Sequence, residues 1–203
     1  MILDSQAARG RSLVGVLREA AAHGVRLFQY RDKLSPSIEA YRAALKLRDA
    51  AVEAEATFLI NDRCDLALAV EADGVHLGQE DLPLLNARAL LGTGKIIGIS
   101  THQPAQVKEA TEGGADYLGF GPIFPTNTKP DHTAVVGLEG LRQVRPLTHL
   151  PIFAIGGVTL DTVAMTIQAG ADGVAVVSAV ATASDVGRMV RDLLAQIGYR
   201  LSQ

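Results

Sequence analysis

Short apolar runs rich in β-branched residues alternate along this chain with longer stretches in which apolar positions return every three to four residues. A continuous apolar run reads as a strand covered on both faces, and the helical period as the element that covers it. The alternation therefore predicts repeated βα units on a parallel sheet. The strand runs are Val25 to Tyr30, Thr57 to Asn61, Gly74 to Leu77, Ile96 to Ser100, Tyr117 to Phe120, Pro151 to Ile155 and Gly173 to Val177, with a remnant at Ile2 and Leu3. Between Ser35 and Glu55, Ile38, Tyr41, Ala44, Leu45 and Leu47 return at helical spacing, Pro36 takes a helix-opening place, and Ser35 is the expected N-cap.

One phrase recurs ahead of three strands: Ala72-Asp73-Gly74-Val75, Ala115-Asp116-Tyr117-Leu118 and Ala171-Asp172-Gly173-Val174. It predicts a single strand-entry geometry used three times. Its spacing gives each βα unit about twenty-one residues, and eight such units make a compact (β/α)8 TIM barrel, below the usual ~250 residues. The expectation is one barrel domain over residues 1–203 with a shortened first strand. The alternative is a doubly wound sheet. Polar residues after nearly every strand favour the barrel, because an open sheet gathers its ligands at one switch point.

Composition narrows the partners. The chain has 203 residues, 48% of them apolar, enough for one good core. A net charge of −3, 4% aromatics and the lack of a Lys/Arg cluster leave no footprint for nucleic acid. No apolar run reaches the ~18 residues of a spanning helix, and the first residues carry neither the basic flank nor the apolar stretch of an export signal; a cytoplasmic protein without a membrane partner is expected. Cys64 is the sole cysteine, so no internal disulfide forms, and a buried structural thiol in a reducing compartment fits.

Strand C-termini of a parallel barrel share one face, which makes residues just after strands neighbours around one mouth. In Gln29-Tyr30-Arg31-Asp32-Lys33, Gln29 and Arg31 point to the same side and Lys33 lies just beyond, giving two rim cations or a charged helix start. Asn61-Asp62 and Gln79-Glu80-Asp81 offer two carboxylates. Asp62 and Asp81 suit Mg²⁺ shared with phosphate oxygens, or they cap the helices that follow. His76 alternates inward and supports the site. Ser100 either donates into the mouth or caps a helix. After the sixth strand, Gly119 and Gly121 allow a close approach to the backbone and Pro122 and Pro125 stiffen the exit. Thr126, Thr128 and Lys129 are then presented to a phosphate, or the segment is a solvated loop. Gly156-Gly157 and Val177-Ser178 read as a phosphate-binding turn and helix start, or as an ordinary tight turn. His23, His102, His132 and His149 receive no role.

Taken in order and spacing, Gln29 to Lys33, Asn61-Asp62-Arg63, His76 to Asp81, Gly98 to His102, Gly119 to Lys129, Gly156-Gly157-Val158 and Val177-Ser178 make the chain resemble the thiamine phosphate synthase family from about Gly24 onward. The resemblance implies a (β/α)8 barrel that joins a hydroxymethylpyrimidine diphosphate to a thiazole phosphate with Mg²⁺ and releases pyrophosphate. It implies that Gln29, Tyr30, Arg31, Asp32, Lys33, Asn61, Ser100 and Lys129 hold the pyrimidine diphosphate and that Asp62 and Asp81 hold the magnesium. Thr126, Asn127, Thr128, Gly157, Val177 and Ser178 would hold the thiazole phosphate, Arg31, Lys33, Ser100 and Lys129 would act in catalysis, and the assembly would be a homodimer. The first strand departs from the family in its length. Thiazole tautomerase relatives carry a histidine near the place of Pro122, and a catalytically silent phosphate binder would not need the full set of cations and carboxylates.

Overall fold

Eight parallel strands form in sequence order, β1 to β8, with helices between them. A doubly wound sheet reverses its strand order at a switch point, and this order has no reversal; it is the topology of the expected (β/α)8 barrel. The computed structural model describes residues 1–8, 10–126 and 134–198. Two compact units divide the chain, one of residues 1–76 and 177–203, the other of residues 77–176.

The first unit holds β1 (Ile2–Asp4), α1 (Leu13–Ala22), β2 (Leu27–Arg31), α2 (Ser37–Glu53), β3 (Thr57–Asn61), α3 (Cys64–Ala69) and most of β4 (Gly74–Leu77). It also holds α8 (Ser178–Ala181) and α9 (Val186–Ile197). Register places Asp4 beside Arg31 and Asn61 beside His76. The alternate positions Leu3, Phe28, Tyr30, Phe58, Ile60 and Val75 are fully buried, as are Leu17, Ala44, Leu47 and Ala51 of α1 and α2. Each large apolar side chain so buried stabilises the fold by about 1.5–3 kcal/mol. Cys64 is a buried thiol, as expected.

Two boundaries move for local reasons. Gly24 adopts φ +104° and the Val25 N–H donates to Ala20 O, so Val25 closes the end of α1 and β2 starts only at Leu27. α2 begins at Ser37 with Pro36 in the cap position and no side-chain cap. Ser35 is not the cap: Pro36 takes the cap position, and the Ser35 N–H and hydroxyl both serve the Asp32 carboxylate. β8 likewise ends at Ala175, short of Val177.

The second unit holds α4 (Leu84–Leu91), β5 (Ile96–Thr101), α5 (Pro104–Glu112), β6 (Tyr117–Phe120), α6 (Gly137–Val144), β7 (Ile152–Ile155), α7 (Leu160–Gln168) and β8 (Gly173–Ala175). Ile97, Leu118, Phe120, Ile152 and Ala154 on one face of these strands, and Val107, Leu141 and Val163 of the helices, are almost without exposure. On the other sheet face, the rings of Tyr117 and Phe153 meet edge to face at 5.4 Å. Gly98 is required there, since a Cβ would lie 2.1 Å from the Tyr117 ring.

The recurring Ala-Asp phrase is a strand clasp. Asp73 N–H donates to Phe58 O at 2.9 Å while the Asp73 carboxylate accepts the Phe58 N–H at 2.7 Å. Asp116 does the same with Ile97, and Asp172 with Ile152. Each aspartate thus fixes the entry of its own strand against the strand before it. Arg88 and Arg145 brace two of the three carboxylates, pairing with Asp116 at 2.7 Å and Asp172 at 2.6 Å.

Candidate active site

In the first unit the polar strand ends converge. The carboxylate of Asp4 accepts from Arg31 Nη1 at 2.5 Å, and the Lys33 ammonium pairs with the Asp62 carboxylate. Gln29, on the same side of β2 as Arg31, is 8% exposed. Arg31, Lys33 and Asp62 are therefore brought together with Asn61 and His76 at adjacent strand ends.

Tyr30 and Asp32 serve the loop that follows β2. The Tyr30 hydroxyl donates to Asp32 Oδ2 at 2.9 Å, and Asp32 Oδ1 accepts the N–H groups of Leu34 at 3.1 Å and Ser35 at 3.0 Å. Burial by itself raises the Asp32 carboxyl. The Ser35 and Leu34 hydrogen bonds and the Tyr30 hydroxyl outweigh it and hold the group at about 2. Burial first, then the bond to Asp32, push the Tyr30 phenol well above its usual value, so it stays a donor. The loop that carries Lys33 is thereby tied at both ends.

Asp62 sits on an uncommon backbone. Its φ is +63°, its N–H donates to His76 O, and the next N–H, of Arg63, reaches back to Asn61 O at 2.8 Å. An i→i+2 bond around a positive φ is the strained form of the γ-turn, and such strain collects at functional sites. Arg63, not Asp62, occupies the N-cap of α3, so the helix-cap alternative does not account for Asp62. Arg63 instead grips Asp65 through two nitrogens, at 2.7 and 2.5 Å; these bonds raise the guanidinium and lower the carboxyl. At the start of α8, Val177 is the N-cap residue and Ser178 the first helical one, and the Arg11 guanidinium donates to Ala181 O and Ala183 O at the other end.

In the second unit, Asp81 caps no helix either: α4 starts at Leu84 with Pro83 at its cap. Asp81 Oδ2 instead accepts the Gly78 N–H at 2.6 Å and closes the loop after β4. Gln79 in that loop donates to Ser100 O at 2.7 Å, tying it to the end of β5. Ser100 lies in register with Gly119, which places no side chain beside it.

The segment after β6 is laced to the turn after β7. Ile123 N–H donates to Ile155 O and Phe124 N–H to Gly156 O. At Gly121, where the sequence predicts a close approach, the approaching group is the Ile155 carbonyl, 2.1 Å from where a Cβ would stand. Gly156 and Gly157, at φ +90° and +64°, are required by the same seam: a Cβ would meet Pro122 at 2.5 Å or Pro125 O at 2.5 Å. Thr126 follows this fastened stretch. Asn127, Thr128, Lys129 and His132 lie outside the described residues.

Two residues matter beyond the sequence expectation. Asp4 partners Arg31, and His102 holds the Gly121 carbonyl through Nδ1 at 2.6 Å. A carbonyl only accepts, so the ring nitrogen facing it carries the proton. Asp4 was obscured by the shortness of β1, although the rule of reading strand ends applies to it.

Among the described residues no group of three or more His, Cys, Asp or Glu side chains could enclose a metal. Asp62 and Asp81 each offer hard carboxylate oxygens, the donor type that Mg²⁺ prefers; it takes one or two protein carboxylates and completes its shell with water and substrate phosphate. Among the described residues no helix is long and apolar enough to cross a membrane.

Comparison with known proteins gives a consistent result. A family profile described as thiamine monophosphate synthase matches residues 1–180. A thiamine-phosphate synthase of Chloroflexus aurantiacus is 46% identical over 197 residues, covering 97% of this chain and 91% of that protein. One from Moorella thermoacetica is 45% identical, covering 95% and 92%. The solved structure of a thiamine phosphate pyrophosphorylase from Pyrococcus furiosus superposes with a TM-score of 0.87 at 38% identity, covering 97% of this chain and 94% of that one.

Proposed function

This chain belongs to the thiamine monophosphate synthase family, and from that premise we propose that it is a transferase joining a hydroxymethylpyrimidine diphosphate to a thiazole phosphate, with thiamine phosphate and pyrophosphate as products. The carbon–oxygen bond to the diphosphate breaks first. Negative charge grows on the leaving oxygen, positive charge spreads over the aminopyrimidine ring, and the thiazole nitrogen captures the carbon. No covalent enzyme nucleophile is needed.

The protein's part is to set charge where charge develops. Arg31, Lys33 and Lys129 supply fixed cations to the diphosphate, Ser100 a hydroxyl, and Gln29 and Asn61 polar contacts to the pyrimidine substrate; Tyr30 and Asp32 keep the Lys33 loop in shape. Asp62 and Asp81 would hold Mg²⁺, which when bound supplies Lewis-acid charge to the diphosphate oxygens. While Lys33 pairs with Asp62 it is held at the end of β3, ready to pass to the incoming anion. Thr126, Asn127, Thr128, Gly157, Val177 and Ser178 receive the thiazole phosphate. A cytoplasmic homodimer completes this reading.

The observation that carries the assignment of roles is the cluster of Arg31, Lys33 and Asp62 at adjacent strand ends. The test mixes both substrates with Mg²⁺ and follows pyrophosphate. Release in step with thiamine phosphate formation is expected. Thermal stabilisation by the substrates without any release would replace the synthase with a silent binder.

A further inference from the structure

Asp4 is a buried carboxylate that the reaction as derived does not use. It is 3% exposed, and strand register sets it beside Arg31. Its Oδ2 takes Arg31 Nη1 at 2.5 Å, and its Oδ1 accepts the N–H groups of Gln6 and Ala7, each at 2.9 Å. The two amides fix the plane of the carboxylate and hence the direction in which Oδ2 points. On the other side, Arg31 is bonded through one terminal nitrogen only among the described residues. The Arg31 side chain keeps 17% of its surface open, so the guanidinium is not sealed in.

A guanidinium is a rigid planar fork of five donors, and pinning one nitrogen aims the others. We propose that Asp4 is a positioning residue: it holds the Arg31 guanidinium so that the donors left over meet the oxygens of the departing diphosphate. The inference rests on the role of Arg31 proposed above. A neighbouring anion weakens the pull of Arg31 on a substrate anion. What it provides in return is preorganisation, because a fixed donor needs no reorientation as charge develops. The short β1 thereby gains a task beyond closing a sheet, namely to deliver one carboxylate to one arginine.

Kinetics of Asp4→Asn, Arg31→Ala and the double variant test this. Asp4→Asn preserves the shape and the acceptor for Gln6 and Ala7. It should lower kcat by about 10- to 100-fold, below the loss for a whole catalytic donor, and leave KM for the thiazole phosphate within about twofold. In the Arg31→Ala background the same change should alter kcat by less than about twofold, because both act as one unit. An equal slowing with and without Arg31 overturns the proposal while leaving the Arg31 assignment standing. Wild-type turnover by Arg31→Ala overturns both. If Asp4→Asn does not fold, Arg31→Ala with Asp4 intact still decides: free guanidinium at millimolar concentration should restore about tenfold activity through the anchored site, and no rescue overturns the proposal.

Discussion

At the scale of single residues, hydrogen bonds settle the charge of Asp32. Its carboxyl is more acidic in the folded chain than in the unfolded one, since the Ser35, Leu34 and Tyr30 donors outweigh the effect of burial. Protonation then favours the unfolded state. The stability this group contributes is complete above about pH 4 and is lost as the pH falls towards 2. Asp32→Asn should therefore flatten the acid limb, and urea midpoints measured from pH 5 to pH 2 should fall less steeply than those of the wild type. Lys129 makes a second prediction at this scale. As a proposed catalytic donor, its change to Ala should lower turnover by about 10²–10³ while the melting temperature holds; near wild-type turnover at saturating substrates would remove it from the catalytic set. Arg31, Lys33, Asp62 and Asp81 were legible because a residue's place after a strand can be read from the apolar run before it. His102 was not, because its partner is a backbone carbonyl 19 positions away, which leaves no mark in residue type.

At the scale of elements, the aspartate clasps set the strand entries. Asp116 is half exposed and accepts both the Ile97 N–H and Arg88, so its share is modest. Asp116→Ala should lower the unfolding free energy by about 1 kcal/mol in urea titration and leave kcat unaltered, because the clasp lies at the strand entry, away from the strand ends that carry the proposed site. The three repeated phrases were visible in the sequence as a recurrence. Their mechanism was hidden, because it joins each aspartate to a strand at least fifteen residues earlier. Boundaries were less legible than elements. Ser35 has the right residue type for a cap, but the helix starts at Ser37, and the Ser35 hydroxyl is bonded to the Asp32 carboxylate and not to the helix N-terminus. At Gly156 and Gly157 the sequence allowed a phosphate turn or a tight turn, and the Pro122 to Pro125 seam explains both glycines by packing before any ligand is considered.

At the scale of the whole chain, the alternation of apolar runs and helical periods carried the strand order, because each βα unit is local and the connections are short. Metal should matter to activity and not to folding. With no enclosing set of three ligands among the described residues, a chelator should abolish pyrophosphate release and leave the melting temperature of the ligand-free protein unchanged. Pyrophosphate and Mg²⁺ together should raise it, by the equivalent of about 2.7 kcal/mol at a hundredfold excess over Kd. The left-handed backbone at Asp62 has a consequence for anyone breeding a hardier version of this catalyst. Glycine relaxes that conformation, so a screen that rewards heat tolerance alone should drift towards Asp62→Gly and discard the carboxylate proposed above for magnesium; counter-selecting on product at every round would keep it.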